Sequence, residues 1–425
     1  MSELSAGLEP TEYFTREQAL KILSVKPQTL YAYVSRGFIR STPRPDGRAH
    51  LYSREDVEKM RAKSAARAGH GAVAASAMHW GEPVISTSIT EITADGPRYR
   101  GRDAVELARG GAHYEVVAEY LWSGSWFDEL DHWDASGLPP QLADLFASSS
   151  ALHADPHVVP MLALIARWLG LSEGSRTERV RQGDSTITSA RRLILGMTGG
   201  FGILTPSRRF VAPLHGLSVA ANLARALGAP DRVVPAIDRA LVLVADHELN
   251  PATFTARIAA SAGSDVHACI AAALNVHFGH GIGGTSDAVE QLLGVDANPV
   301  EVLARTRDMV RAQRKIPGFG HTLYPRGDRR ATCLLDLARE YAVQDQRTRN
   351  LLDSVSVIAQ EIDSPPTIDV GLSVLARALQ LPDQTAGALF ALGRAAGWTA
   401  HIVEQRLAGF MIRPRARFVG GPGAD

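Results

Sequence analysis

Two histidines and one aspartate occupy positions where their neighbours in the chain are unusual. His247 closes a long apolar run, His321 follows a Gly-Phe-Gly triplet, and Asp369 comes soon after a pair of prolines. Histidine and carboxylate side chains are the groups that enzymes most often use to transfer protons. Taken singly, His247 is also explained as a helix-end cap, and Asp369 as a helix N-cap. Taken together, the three residues predict a site for acid–base chemistry.

Two further features indicate what such a site would bind. Gly318 and Gly320 stand on either side of Phe319, which predicts a backbone that bends tightly or approaches a ligand closely. Arg394 lies among alanine, leucine and glycine residues in a predicted helix. An arginine in such apolar surroundings usually requires a buried anionic partner. The sequence therefore predicts an anion beside Arg394.

Long apolar helices must position these residues. From residue 80 onward, apolar side chains recur at helical spacing, with few strand signals and no internal repeat. A polar stretch at 170–185 interrupts this pattern and predicts a surface loop. The body of the chain is therefore predicted to be a mostly helical domain of the size of an enzyme. The clearest helices are predicted over 151–169, 217–227, 233–246, 265–276 and 386–404.

The first 70 residues differ from the rest in charge and pattern. Between residues 16 and 67 there are 12 lysines and arginines against 5 aspartates and glutamates, in a chain whose formal net charge is zero. Thr15 and Gln18 are spaced as a capping box, which predicts the start of a helix. Pro27 and Gly37 predict the start and end of a second helix, and Ser53 opens a third. The first two helices have the size and spacing of a helix-turn-helix.

This pattern resembles the winged helix-turn-helix of the MerR and excisionase type over residues 15–61. The resemblance implies that this part of the chain binds DNA, with a recognition helix and a wing whose guanidinium groups meet phosphate. The alternative is a small helical domain whose basic face contacts proteins. The residues expected on or beside the recognition helix are Gln28, Thr29, Tyr31 and Arg36, and those expected on the wing are Arg44 and Arg48.

Length and composition limit the remaining possibilities. With 425 residues, two or three domains are expected: residues 1–64, an Ala/Gly-rich linker at 65–79, and a body at 80–425. Two cysteines give no disulfide framework, which fits a reducing compartment. No signal peptide is visible, and the apolar run at 237–245 is too short to span a membrane. We therefore expect a cytoplasmic protein without membrane contact.

The motifs from residue 80 onward together resemble those of the citrate synthase family. Several independent segments occur in the family's order along nearly all of 80–421, so chance agreement is negligible. The matching segments are 85–90, 99–102, 245–254, 260–265, 318–321, 328–331, 394–401 and 412–415.

The resemblance implies a mostly helical, two-lobed body that forms a homodimer. A smaller lobe, roughly 255–365, would close over the substrate and exclude water. Such an enzyme is a transferase of the tricarboxylic acid cycle type, which joins the methyl carbon of acetyl-CoA to the keto carbon of oxaloacetate. Propionyl-CoA is the other acyl donor to consider. Acyl-CoA would be a co-substrate, and no bound cofactor and no metal is expected.

The resemblance also assigns a role to each residue of the site. Asp369 would remove the methyl proton, and His321 would protonate the keto oxygen of oxaloacetate. Arginines suit the two carboxylates of oxaloacetate because a guanidinium group binds a carboxylate through two parallel hydrogen bonds. The expected oxaloacetate contacts are His247, Arg330 and Arg394, with Arg413 lent by the partner subunit, and the expected CoA contacts are Ile316, Pro317 and Gly318.

One catalytic position departs from the family pattern. The family's enol-stabilising histidine aligns with Ile282, which cannot donate a hydrogen bond. Loss of such a donor typically costs about 10²- to 10⁴-fold in rate. His280 lies two residues earlier and takes this role if the loop is reshaped. Thr367 replaces an asparagine that is common two residues before the base. The family motif is also spelled around His215, but upstream of its proper place, where it is expected to open a helix.

Three functions remain compatible with the sequence. The first is an active or weakly active citrate or methylcitrate synthase with an appended DNA-binding domain. The second is a transcription regulator in which a degenerate synthase domain senses oxaloacetate, citrate or a related acid. The third is a non-catalytic subunit that pairs as a heteromer with an intact synthase homologue.

Overall fold

The computed structural model describes residues 13–23, 25–35, 38–43, 50–54, 56–58, 60, 85–150, 157–173, 186–279, 281, 284–294 and 298–414. The predictions for Arg36, Arg44, Arg48, His280, Ile282 and the 65–79 linker lie outside these residues. The chain divides into two compact units, one of Met1–Ser86 with Arg413–Asp425 and one of Thr87–Ile412. The predicted domain limits and the small lobe at 255–365 stay predictions.

The first unit contains short helices and a three-stranded antiparallel sheet. Its central strand is the third in chain order, with the other two strands on either side of it. Residues 54, 56–58 and 60 are also helical, where the third helix is predicted. The named elements are β1 (Tyr13–Phe14), α1 (Arg16–Leu23), α2 (Pro27–Ser35), β2 (Ser41–Pro43) and β3 (His50–Ser53).

A capping box starts α1, as the sequence predicts. The backbone N–H of Thr15 donates to the Gln18 side-chain oxygen at 2.9 Å, and the N–H of Gln18 donates to the Thr15 hydroxyl at 3.3 Å. Two donors at the helix start are thereby satisfied reciprocally. The helices, β3 and residue 57 enclose a small apolar core of Ala19, Leu23, Leu30, Ile39, Tyr52, Val57 and Met60.

The second unit consists almost entirely of helices. A small antiparallel sheet lies near its start, with strands β4 (Thr90–Thr93), β5 (Gly96–Tyr99) and β6 (Arg102–Asp103) in that order. No helix in the described ranges is long and apolar enough to cross a membrane. The helices are α3 (Ala104–Arg109), α4 (Tyr114–Ser123), α5 (Leu142–Ser150), α6 (Val158–Ser172), α7 (Thr186–Gly200), α8 (Val219–Ala226), α9 (Val234–Leu243), α10 (Pro251–Ser261), α11 (Val266–His277), α12 (Gly284–Leu293), α13 (Pro299–Arg311), α14 (Arg329–Tyr341), α15 (Gln346–Glu361), α16 (Ile368–Ala378) and α17 (Thr385–Ala408).

The helix predictions agree with α8, α9, α11 and α17 to within a few residues. The predicted helix at 151–169 corresponds to α6, which begins later, at Val158. The predicted helix at 233–246 ends earlier, at Leu243, so His247 lies in the connection that follows. The sheet of β4, β5 and β6 has little apolar alternation, which explains why the sequence gives few strand signals for it.

The long helix α17 runs through the core and carries part of the site. It is buried along most of its length and packs against α4, α9, α10, α11 and α16. A side chain at Gly397 would overlap Asp246 and Ala245. The N–H of Gly397 donates to the carbonyl of Ala245 at 2.9 Å. The small residue therefore lets the segment before His247 pack directly on the helix that bears Arg394.

Candidate active site

The connection between α9 and α10 holds His247 in place. Glu248 has a φ of 56°, and its N–H donates to the Asp246 carboxylate at 3.1 Å. Asn250 then caps α10 by accepting from the N–H of Thr253 at 2.9 Å. His247 makes no cap. Its Nε2 instead lies 2.7 Å from the hydroxyl of Tyr324, a residue that the sequence analysis did not select.

The loop before His321 bends as its glycines predict. Gly318 and Gly320 have φ values of 78° and 75°, in the region that favours glycine. A side chain at Gly318 would also overlap two valines of α12 and α16. The carbonyl of Gly318 accepts from the N–H of Thr367 at 2.8 Å, and the N–H of Gly320 donates to the carbonyl of Pro365 at 2.9 Å. These bonds bring His321 beside the start of α16, which bears Asp369.

His321 has a defined tautomer in this loop. The N–H of Leu323 donates to Nδ1 of His321 at 3.1 Å, so the ring proton of the neutral form is on Nε2. The His321 ring lies 5.6 Å from that of His247 and stacks on Tyr324 at 4.7 Å. Burial, followed by the charge of Arg330, lowers the pKa of both histidines. At neutral pH both are therefore uncharged, and His321 presents an N–H donor.

Arg330 is buried and is held by Asp328. The Nε and Nη2 atoms of Arg330 donate to the two carboxylate oxygens at 3.0 and 2.8 Å. Asp328 also caps α14 and accepts from the N–H of Ile368 at 3.2 Å, so it ties the starts of α14 and α16 together. The remaining nitrogen, Nη1 of Arg330, has no hydrogen-bond partner among the described residues.

Arg394 is buried with one nitrogen free for a ligand. Its Nε donates to the carbonyl of Val244 at 2.9 Å, and its guanidinium lies over the ring of Phe390. Nη1 has no hydrogen-bond partner among the described residues. Burial lowers the pKa of Arg394 to about 10, and the charge of Asp246 acts in the opposite direction. The side chain still carries its charge at neutral pH. The predicted anion is thus supplied only in part by Asp246.

Asp369 is the second residue of α16 and is held by two hydroxyl groups. The hydroxyl of Ser286 donates to Oδ1 at 2.9 Å, and that of Thr367 donates to Oδ2 at 3.3 Å. Thr367, not Asp369, is the N-cap residue. Burial raises the pKa of Asp369, and the bond from Ser286 opposes that rise. A partly desolvated carboxylate of this kind is suited to accept a proton.

Most of the predicted site residues lie close together. The charges of Arg330 and Arg394 act on His247, and that of Arg330 acts on His321 and Asp369. The loop residues Ile316 to Gly318 lead directly into this cluster. Arg413 is different, since it is exposed in the segment after α17. Its role in a partner subunit stays a prediction.

Some functional candidates were missed or placed elsewhere. Tyr324 follows His321 by three residues, and Asp328 precedes Arg330 by two, so short spacing was the available signal for both. Ser286 carries no such signal, because it meets Asp369 only in the folded chain. His215 lies in an exposed connection before α8, with its side chain 70% exposed and its Nδ1 3.4 Å from Asp134.

The predicted DNA-binding residues can be followed only on α2. Gln28 and Tyr31 are exposed there, Thr29 is partly buried, and Leu30 points into the small core. The guanidinium of Arg16 lies 5.5 Å from the centre of the Tyr31 ring. One face of α2 is therefore open and lined by polar and aromatic side chains.

Known proteins are similar to this chain over most of its length. A sequence profile described as "Citrate synthase, C-terminal domain" matches residues 77–415. Citrate synthase 2 of Bacillus subtilis is 28% identical over 357 residues, which cover 80% of this chain and 95% of that protein. 2-Methylcitrate synthase 2 of Corynebacterium glutamicum is 27% identical, over 76% of this chain and 88% of that protein.

Solved structures show the same fold. Citrate synthase of the archaeon Thermoplasma acidophilum, in a ternary complex with carboxymethyl coenzyme A and oxaloacetate, aligns with a TM-score of 0.70 at 21% identity, covering 80% of this chain and 94% of that one. The Pyrobaculum aerophilum enzyme aligns with a TM-score of 0.67 at 25% identity, covering 80% and 91%. A second profile, described as a helix-turn-helix domain, matches residues 13–64. The predicted fold class, a mostly helical body preceded by a helix-turn-helix region, is confirmed.

Proposed function

The chain belongs to the citrate synthase family, and on that premise we propose that it condenses an acyl-CoA, either acetyl-CoA or propionyl-CoA, with oxaloacetate. One observation carries the proposal above the others. Two buried guanidinium groups, of Arg330 and Arg394, each have one nitrogen, Nη1, with no partner in the described part of the chain, beside two neutral histidines and a partly desolvated carboxylate. Buried polar groups are normally satisfied, so this arrangement is suited to an anionic ligand.

Oxaloacetate is an anion that can accept hydrogen bonds from the Nη1 atoms of the two arginines. Its two carboxylates can accept from Nη1 of Arg330 and Nη1 of Arg394, which would complete both guanidinium groups. His247 is kept neutral and is fixed by Tyr324, so it can contact the ligand without adding charge. His321 offers its Nε2–H to the keto oxygen, where negative charge develops when the new carbon–carbon bond forms.

Asp369 supplies the base for the acyl-CoA. Its carboxylate takes a proton from the carbon next to the thioester carbonyl, and the electron pair of that C–H bond forms the enolate double bond. The enolate carbon then attacks the keto carbon of oxaloacetate, and the keto oxygen takes the Nε2 proton of His321. To complete the cycle, Asp369 releases its proton to solvent and His321 takes one up. Water hydrolyses the resulting thioester and releases CoA. The loop at Ile316, Pro317 and Gly318, which leads into His321, is the proposed CoA contact.

Thiol release tests this function directly. Purified protein is mixed with oxaloacetate and either acetyl-CoA or propionyl-CoA, and free CoA is followed with a thiol reagent. We expect turnover by the wild type, a loss of at least about 10²-fold in Asp369→Asn, and no loss in Asp353→Asn, which alters an exposed aspartate of α15. Equal rates in Asp369→Asn and the wild type would contradict the proposal.

The proposed active form is a homodimer in which Arg413 reaches the site of the partner subunit. Arg413 is exposed in the segment after α17, which supports this role, because an arginine that binds a ligand in the partner subunit must be accessible on the surface of its own subunit. Sedimentation of the purified chain tests it: a stable dimer is expected. A monomer that dimerises only with an intact synthase homologue would favour a non-catalytic partner subunit instead.

A second candidate function, ligand-responsive binding to DNA, is favoured by the helix-turn-helix match at 13–64 and by the open face of α2. Gel-shift assays on the protein's own promoter, with and without oxaloacetate or citrate, test it. We expect Gln28→Ala and Tyr31→Ala to reduce sequence preference, and joint Arg44→Ala and Arg48→Ala to lower the salt dependence of binding. Unchanged binding in all these variants would contradict this candidate.

A further inference from the structure

Ser286 is a buried hydroxyl whose partner is the proposed base. It is only 2% exposed and is the third residue of α12, in the first turn of that helix. Its hydroxyl donates to Oδ1 of Asp369 at 2.9 Å. Gly387 of α17 leaves space on its other side, because a side chain there would lie 3.4 Å from the Ser286 Cβ. The position of this hydroxyl relative to the carboxylate is therefore set by the packing of α12 against α16 and α17.

Removing a proton next to a thioester moves negative charge onto the carbonyl oxygen. That oxygen lies roughly 2.4 Å from the carbon that loses the proton, so a useful donor must lie close to the base. Ile282 cannot provide one. His321 is assigned to the keto oxygen of the other substrate. The described donors on Asp369 are the hydroxyls of Ser286 and Thr367.

We infer that Ser286 donates the hydrogen bond that stabilises the enolate oxygen, in place of the histidine that Ile282 has displaced. The inference rests on the proposed condensation of an acyl-CoA. Before reaction, the hydroxyl donates to the ionised Asp369. When the C–H bond breaks, its proton goes to Asp369, its electrons form the C=C bond, and the carbonyl π electrons go to oxygen. Asp369 becomes a weaker acceptor and the oxygen a stronger one, so the Ser286 hydrogen turns to the enolate.

Two features favour Ser286 over Thr367. Its bond to the carboxylate is shorter, 2.9 against 3.3 Å. It also lies at the start of α12, where the aligned peptide dipoles of a ten-residue helix place partial positive charge. Thr367 belongs to the same segment as Asp369, and its N–H is bonded to Gly318. Thr367 thus acts as a positioning residue for the carboxylate, whereas Ser286 approaches the base from a different helix.

The test compares four variants with the wild type. Ser286→Ala should lower kcat by about 10²-fold while the KM for oxaloacetate stays the same, because Ser286 is not an oxaloacetate contact. Ser286→Thr keeps the hydroxyl and should recover most of the rate. Thr367→Val removes the other hydroxyl on Asp369 and measures the cost of lost positioning. Ser356→Ala removes an exposed hydroxyl of α15, away from the site, and serves as the matched control. Enolisation is also measured alone, as exchange of the acetyl-CoA methyl protons with D₂O in the presence of malate, which has no keto carbon to attack.

The pH profile separates stabilisation of the enolate from simple positioning. Each hydroxyl lowers the pKa of Asp369, so Ser286→Ala and Thr367→Val should both move the acidic limb of the profile to higher pH. The plateau rate and the exchange of the methyl protons should fall about 10²-fold in Ser286→Ala and much less in Thr367→Val, and neither should change in Ser356→Ala. Equal plateau losses in the two variants, or a full plateau rate in Ser286→Ala, would overturn the inference.

Three results would count against it. A loss in His280→Ala as large as that in Ser286→Ala would place the donor at His280. A wild type that neither exchanges methyl protons nor releases CoA with either acyl-CoA would overturn both the inference and the proposed function. An active wild type with an unaffected Ser286→Ala would overturn the inference alone.

Discussion

The hydroxyl of Tyr324 lies 2.7 Å from Nε2 of His247. Because the same phenol ring stacks on His321, one side chain fixes the positions of both histidines of the site. Burial raises the pKa of Tyr324 to about 12, so the phenol keeps its proton and can donate to the neutral imidazole. The two histidines are therefore held as a pair, although 73 residues of chain separate them.

Removing the Tyr324 hydroxyl should weaken binding of oxaloacetate. A single neutral hydrogen bond contributes about 1 kcal/mol, so Tyr324→Phe is expected to raise the KM for oxaloacetate about fivefold, since His247 loses its anchor. Tyr341→Phe is the control, because that hydroxyl donates to the carbonyl of Arg232 elsewhere in the unit. Steady-state kinetics with oxaloacetate varied measures the effect, and an unchanged KM in Tyr324→Phe would show that the bond does not orient His247.

Arg394 should contribute both to ligand binding and to the stability of the unliganded protein. Arg394→Met removes the donor to the Val244 carbonyl and the charge beside the buried Asp246, which is expected to lower the free energy of unfolding without ligand by about 3 kcal/mol. The same change should weaken oxaloacetate binding about 10- to 100-fold, because a charge-assisted hydrogen bond is lost. Thermal unfolding with and without oxaloacetate measures both effects. In the control Arg307→Met, which breaks an exposed ion pair with Glu361, oxaloacetate should raise the Tm as much as it does in the wild type. If oxaloacetate raised the Tm of Arg394→Met as much as that of the wild type, Arg394 would be excluded as a ligand contact.

Asp369 should also lower stability at neutral pH. Burial raises its pKa in the folded state, so between the unfolded and the folded pKa the folded protein holds a proton that the unfolded chain releases. Its contribution to stability is therefore lost as the pH rises. Asp369→Asn should raise the free energy of unfolding at pH 7, by about 1.4 kcal/mol per unit of pKa shift, with the gain shrinking toward pH 4. Urea unfolding across this range measures the gain, and a destabilised variant at pH 7 would contradict it.

Glu115 offers a pH dependence away from the site. It is buried, one oxygen accepts from the N–H of Val219, and the other has no partner among the described residues. Burial, together with the nearby charge of Asp238, raises its pKa to about 7. Stability should thus fall between about pH 4.5 and 7 as this proton is lost.

In Glu115→Gln the free energy of unfolding should fall less over this pH range than it does in the wild type. Above pH 7 the two falls should differ by on the order of 3 kcal/mol. Urea unfolding of the variant and the wild type at pH 5 and 8 measures it. Glu129→Gln, on the exposed loop after α4, should follow the wild type at both pH values. If the free energy of unfolding changed equally between pH 5 and 8 in the wild type and in Glu115→Gln, the pKa of Glu115 would not be raised in the folded protein.

The sequence predicts the helices and the two loops that bear His247 and His321 because their signals are local. Apolar periodicity marks α8 and α17, and the glycines around Phe319 require the bend that the structure shows. The contacts that complete the site are not local. Ser286 meets Asp369 only after α12 and α16 have packed, and no spacing in the chain indicates that bond.

Arg394 illustrates a partial success. The apolar helix around it correctly predicts a buried guanidinium, but the expected anion is only partly present, as Asp246. Periodicity reports which residues are buried and not which groups they meet. Likewise, the strands β4, β5 and β6 are short and poorly alternating. The turn between β4 and β5 ends at Gly96, which has a φ of 123°, and α3 packs against β5 and β6.

The fate of labelled acetyl carbon tests the central claim most directly. Acetyl-CoA carrying ¹³C in its methyl group is incubated with oxaloacetate and the wild-type protein, and the products are read by NMR. If Asp369 and His321 carry out the condensation, the label appears in a methylene carbon of citrate, and Asp369→Asn forms none. Label recovered only in the free acid or the unchanged thioester, both from acetyl-CoA and from propionyl-CoA labelled at the carbon next to its carbonyl, with protein that binds oxaloacetate, would contradict the claim.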